Sequence, residues 1–82
     1  GLPMPKVLES NGYKVFIYTH DHLPRHVHVW RGEVEIIINI DTLEIIWISP
    51  RARPRMIKQA WELVADNQEF LQGEWERIKP IP

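Results

Sequence analysis

The chain has 82 residues, enough for one domain with a modest core, since a domain this small buries only about 60–65% of the surface its unfolded chain exposes. It has no cysteine, which excludes disulfides and thiolate metal sites, and its net charge of −1 gives no argument of its own for a nucleic-acid partner. No apolar run approaches the roughly 20 residues of a membrane span and the N-terminus lacks the layout of a signal peptide, so a cytoplasmic protein with no membrane partner is expected.

In chain order, Gly1-Leu2-Pro3 ahead of Met4 reads as a cloning remnant, leaving a single domain over 4–79 and a tail at 80–82. Asn11-Gly12 is a turn, and Tyr13 to His20 alternates as a strand. Asp21 to Arg25 is a loop containing Pro24, His26 to Arg31 a second strand, and Gly32 marks the next reversal. Glu33 to Ile40 is a third strand, Asp41-Thr42 a turn and Leu43 to Ile48 a fourth; connections this short make neighbours antiparallel. Ser49-Pro50 announces a helix with Ser49 as its N-cap, although Pro54 moves the regular start to near Arg53. Ile57, Ala60, Trp61, Val64, Leu71, Trp75 and Ile78 then recur at helical spacing, with Asn67-Gln68 and Gly73 as points of bending or splitting. The fold class is α+β: an antiparallel meander of about four strands packed on one face by a C-terminal helix.

All four histidines lie in one nine-residue stretch, His20-Asp21-His22-Leu23-Pro24-Arg25-His26-Val27-His28. A five-residue loop sets His20 opposite His26, Tyr18 opposite His28 and Phe16 opposite Trp30, and a turn at Arg31-Gly32 sets Glu35 opposite His28. One face then carries Val15, Ile17, Val27, Val29, Val34, Ile36, Ile38, Ile40, Leu43, Ile45 and Trp47, and is expected beneath the helix. The other holds Phe16, Tyr18, His20, His26, His28, Trp30, Glu35, Ile37, Ile46 and Ile48. It is too apolar to stand bare, so a second protomer, a small protein partner or a ligand is expected there, with Tyr18 and Trp30 as contacts. Trp47, Trp61 and Trp75 are assigned to the core.

Imidazole binds metals and moves protons near neutrality. His20, His26 and His28 with Glu35, and Asp21 or His22 as further donors, form a candidate site for a divalent metal such as zinc. Metal-free acid–base chemistry on an RNA phosphodiester is the alternative, with Arg25 or Arg31 stabilising developing charge. Arg51, Arg53, Arg55 and Lys58 crowd a helix start, where cations are disfavoured by about 0.3–1 kcal/mol each, and form a candidate anion or nucleic-acid site.

Met4-Pro5, Gly12-Tyr13, Phe16, Tyr18 and the run Asp21-His22-Leu23-Pro24-Arg25-His26-Val27-His28-Val29 resemble a small bacterial family, domain of unknown function 4160. Ser49-Pro50-Arg51 and Trp75 extend the likeness over nearly the whole chain. The resemblance implies counterparts for His22, His26 and His28, the candidate catalytic set, and leaves His20 less constrained. It also implies companionship with a second family, domain of unknown function 2442, in toxin–antitoxin-like pairs. The expected role is therefore a partner-binding component of such a pair or of a regulatory one, with a metal- or histidine-dependent nuclease of toxin type as the alternative.

Overall fold

The structure is a computed structural model that describes residues 5–79; the expected cloning remnant and tail lie outside the described residues. Five strands, β1 (Lys6–Ser10), β2 (Tyr13–Phe16), β3 (His26–Arg31), β4 (Val34–Asn39) and β5 (Ile45–Ile48), pair antiparallel in chain order. Two helices follow, α1 (Pro54–Asp66) and α2 (Gln68–Ile78). The fold is α+β, with one strand more than the alternation announces. In β1, Val7 and Leu8 stand side by side rather than two apart, because a bulge between Lys6 and Leu8 interrupts the period of two. Asn11 (φ 50°) and Gly12 (φ 84°) turn β1 into β2 with positive φ at both central positions, as a type I′ hairpin requires. A Cβ at Gly12 would stand 2.6 Å from Arg31 Nη1, which donates to the Asn11 carbonyl.

The register departs from expectation in three places. First, β2 ends at Phe16 rather than His20, because the Asp21 carboxylate accepts the Tyr18 N–H at 2.9 Å and the Asp21 N–H is donated to the Tyr18 carbonyl. An aspartate that captures nearby backbone in this way competes with a sheet ladder. His20 therefore never pairs with His26, and β2 and β3 meet at Phe16↔His28 and Lys14↔Trp30.

Second, the β3–β4 turn uses Gly32-Glu33, so Glu35 opposes Trp30 and His28 opposes Ile37. Arginine fits a positive-φ turn position poorly, whereas Gly32 adopts φ 57°. Both displacements are of two residues, and an even displacement leaves every side chain on its expected face.

Third, a bulge between Ile38↔Ile45 and Ile37↔Trp47 carries Trp47 to the side of Ile37. Trp47 is thus exposed, not a core residue.

The core joins Tyr13, Val15, Ile17, Val27, Val29, Ile36, Ile38 and Ile40 of the sheet layer to Ala60, Val64, Leu71 and Trp75 of the helices. Pro54 takes the first turn of α1, where its missing N–H costs no helical hydrogen bond. Ser49 is not a cap, since its Oγ accepts the Glu35 N–H. The long apolar stripe divides at Asn67, whose Nδ2 donates to the Leu63 carbonyl at the end of α1. Trp61 stays on the rim, partly exposed, with Nε1 donating to the Leu43 carbonyl. No helix among the described residues is long and apolar enough to cross a membrane.

Candidate metal centre

The site is built on β3, where alternation buries Val27 and Val29 and turns His26 and His28 to the opposite face. The loop from 17 to 25 folds back so that Asp21 reaches both rings. Asp21 Oδ1 stands 3.0 Å from His28 Nε2 and 3.3 Å from His26 Nε2. Among the described residues, Asp21, His26 and His28 form a group whose ligating atoms all lie within 4.8 Å of one another. Ligands held about 2.0–2.1 Å from a tetrahedral zinc stand roughly 3.3 Å apart, so the spacing suits a shared ion.

The remaining ring nitrogens are both taken. His26 Nδ1 lies 2.7 Å from the Pro24 carbonyl, and His28 Nδ1 lies 2.7 Å from Glu35 Oε2. A carbonyl or carboxylate oxygen only accepts, so each Nδ1 carries the hydrogen. In a neutral ring Nε2 then keeps a lone pair open to a metal ion, whereas in an imidazolium Nε2 carries a second hydrogen directed at Asp21 Oδ1, 3.0 Å from His28 and 3.3 Å from His26. Two lone pairs and a carboxylate oxygen facing one another repel unless a proton or cation sits among them. Orientation of a ligating ring by a carboxylate or carbonyl on its other nitrogen is the usual arrangement around protein-bound metals.

Aromatic rings enclose the group. The Tyr18 ring lies 4.5 Å from that of His28, and His26 packs between His28 and Trp75 at 5.1 and 5.6 Å. Trp30 Nε1 donates to the Tyr18 hydroxyl at 2.9 Å, so the two expected interface residues hold each other within the site wall. Burial, with smaller contributions from the Glu35 and Asp21 charges, raises the Tyr18 phenol above its ordinary value despite the Trp30 hydrogen bond. The phenol remains a neutral group near the ligands.

His20 and His22 are exposed and stand outside the ligating group; they line, with Leu23, Pro24, Ile37 and Ile46, a mainly apolar recess of about 350 Å³ beside Asp21 and His26. Glu35 supports His28 through Nδ1 and does not join the ligating atoms. Arg25, a candidate for stabilising charge, instead grips Asp41 with Nε at 3.0 Å and Nη2 at 2.6 Å, and reaches Glu76 at 3.2 Å. This fork ties the histidine loop to the β4–β5 turn and α2. Arg31 is likewise engaged, against the Asn11 carbonyl and over the Tyr13 ring. Arg51, Arg53, Arg55 and Lys58 are exposed, and none forms an ion pair with a carboxylate among the described residues.

Sequence reasoning kept Asp21 only as an optional donor and missed the Pro24 carbonyl. Asp21 had a usable signal, since aspartate in a loop after a strand commonly binds the backbone of its own turn. A main-chain carbonyl has none.

A family model described as a domain of unknown function (DUF4160) matches residues 12–76. That span contains every residue of the site. Neither the curated proteins nor the solved structures compared give a match.

Proposed function

The chain belongs to the family described as a domain of unknown function (DUF4160), and we propose that Asp21, His26 and His28 hold a divalent transition metal such as zinc. The proton count at the two rings carries this reading: both Nδ1–H groups are committed to outer acceptors, and both Nε2 atoms converge on one carboxylate oxygen. Glu35 and the Pro24 carbonyl would fix the rings and strengthen them as ligands. Three protein ligands leave a coordination position for a water or a donor from a partner, and a metal bound there supplies Lewis acidity. Asp21 fastens the loop to Tyr18 while presenting its other oxygen to the rings, so the site and the loop are ordered together.

Within this reading the protein acts as a small component of a toxin–antitoxin-like or regulatory pair, cytoplasmic, and binding through the face around the metal. The apolar recess beside Asp21 and the cations Arg51, Arg53, Arg55 and Lys58, which form no ion pair among the described residues, support binding. A metal-dependent nuclease is the second reading, favoured by the open coordination position. It is weakened by the engagement of Arg25 and Arg31 with partners inside the chain, which leaves the phosphodiester without its expected cation.

The test is thermal unfolding of untagged protein with zinc and with chelator. Binding restricted to the folded state adds about 2.7 kcal/mol at a hundredfold excess over Kd, so zinc should raise the melting temperature and chelator should reverse it. Asp21→Ala and His28→Ala should abolish the shift while His20→Ala and His22→Ala keep it. Melting indifferent to zinc, or a shift lost only with His20 or His22, overturns the assignment.

A further inference from the structure

The recess beside the ligating group is the part of the site that a metal alone leaves unfilled. Asp21 and His26 belong both to the group and to the recess wall, and the rest of that wall is mainly apolar, from Leu23 and Pro24 of the loop and from Ile37 of β4 and Ile46 of β5. One small molecule can therefore set a donor atom on a metal held by Asp21, His26 and His28 and an apolar group against the isoleucines. Leu23 is 78% and Ile46 45% exposed, so this apolar surface stands open to such a molecule.

Charge and wall chemistry select its class. A divalent ion held by one carboxylate and two neutral imidazoles keeps one positive charge, and no lysine or arginine among the described residues lines the recess to meet further anionic oxygens. Arg25, the arginine nearest in sequence, is committed to Asp41 and Glu76. A carboxylate balances the remaining charge and leaves the rest of the molecule free to be apolar. A phosphodiester carries the same charge but brings ester and sugar oxygens against Leu23, Ile37 and Ile46, where burial without a partner costs free energy. A peptide main chain is met poorly as well: the Asp21 N–H already donates to the Tyr18 carbonyl, the Pro24 carbonyl already accepts from His26, and Pro24 has no N–H. We propose that the site takes a small aliphatic monocarboxylate, its carboxylate on the metal held by Asp21, His26 and His28 and its hydrocarbon chain in the recess of Leu23, Ile37 and Ile46, an inference that rests on the metal reading above.

The test titrates acetate, butyrate and hexanoate into untagged zinc-loaded protein, and into the same protein stripped with chelator, following the Ile37 and Ile46 methyl groups and the His26 ring by NMR. Affinity for the zinc-loaded form should rise about two- to fourfold with each added methylene, fourfold being full burial. The stripped form should bind each acid at least about tenfold more weakly, since it lacks the ion that holds the carboxylate. Ile46→Gln, at an exposed edge position, should weaken hexanoate at least about fivefold while zinc and acetate affinities stay as in wild type. Zinc binding with no carboxylate response, affinities flat along the series, equal binding with and without zinc, or binding of a peptide ending in leucine with none of the acids overturns this inference and leaves the metal reading standing. A protein that binds no zinc overturns both.

Discussion

The two faces of β3 use neighbouring residues in opposite ways. Val27 and Val29 are held by burial against the helices, where any apolar neighbour of suitable size serves. His26 and His28, one step along the same strand, are held by named acceptors: the Pro24 carbonyl, Glu35 and Asp21. The core face is therefore specified by pattern and the site face by partners. A two-residue slip in register keeps the first intact but changes which carboxylate reaches which ring.

The largest effect that separates the faces lies in the core. Ile38→Ala, at a fully buried position opposite Val27, should cost about 2–5 kcal/mol in urea unfolding, yet the folded fraction should bind zinc as before. Loss of zinc affinity in that folded fraction would show that the faces are not separable.

Glu35→Gln acts on the site face. It removes the charge behind His28 and should lower zinc affinity about 10–100-fold by calorimetry, with urea stability nearly unchanged. An unaltered affinity would remove Glu35 from the ring's support.

The smallest effect concerns the clamp that holds the histidine loop in place. The Arg25 hydrogen bond, aided by Gln72, holds the Asp41 carboxyl below its ordinary value. A carboxyl lowered by folding stabilises fully above the ordinary carboxylate range, and that contribution is lost as pH falls through the lowered value. Because the pair is partly exposed, Asp41→Asn should cost only about 0.2–1 kcal/mol at neutral pH, and the difference from wild type should vanish in acid. A difference that persists in acid would assign the cost to packing.

Much of the sheet was legible because alternation survives even-numbered changes of register. Val15 to Ile40 on one face and the histidines on the other follow from period two alone. What escaped was whatever breaks that period. The bulge in β1 hid a strand by placing Val7 beside Leu8, and the bulge before Trp47 turned an expected core residue outward. In the site, His26 and His28 were legible from their spacing. The truncation of β2 by Asp21 was not, and it is what removes His20 from the group and brings the carboxylate in. Glu35 was found through a register two residues out, since its side chain still reaches the neighbouring ring diagonally.

Side-chain nitrogen correlation spectra of the imidazoles, recorded with one equivalent of zinc and then with chelator, test the metal centre most directly. His26 and His28 should both keep their hydrogen on Nδ1 and show zinc-dependent shifts at Nε2, while the rings of His20 and His22 stay unchanged. A hydrogen on Nε2 of either β3 histidine in the zinc-saturated protein, or shifts confined to His20 and His22, would contradict the shared Asp21–His26–His28 site.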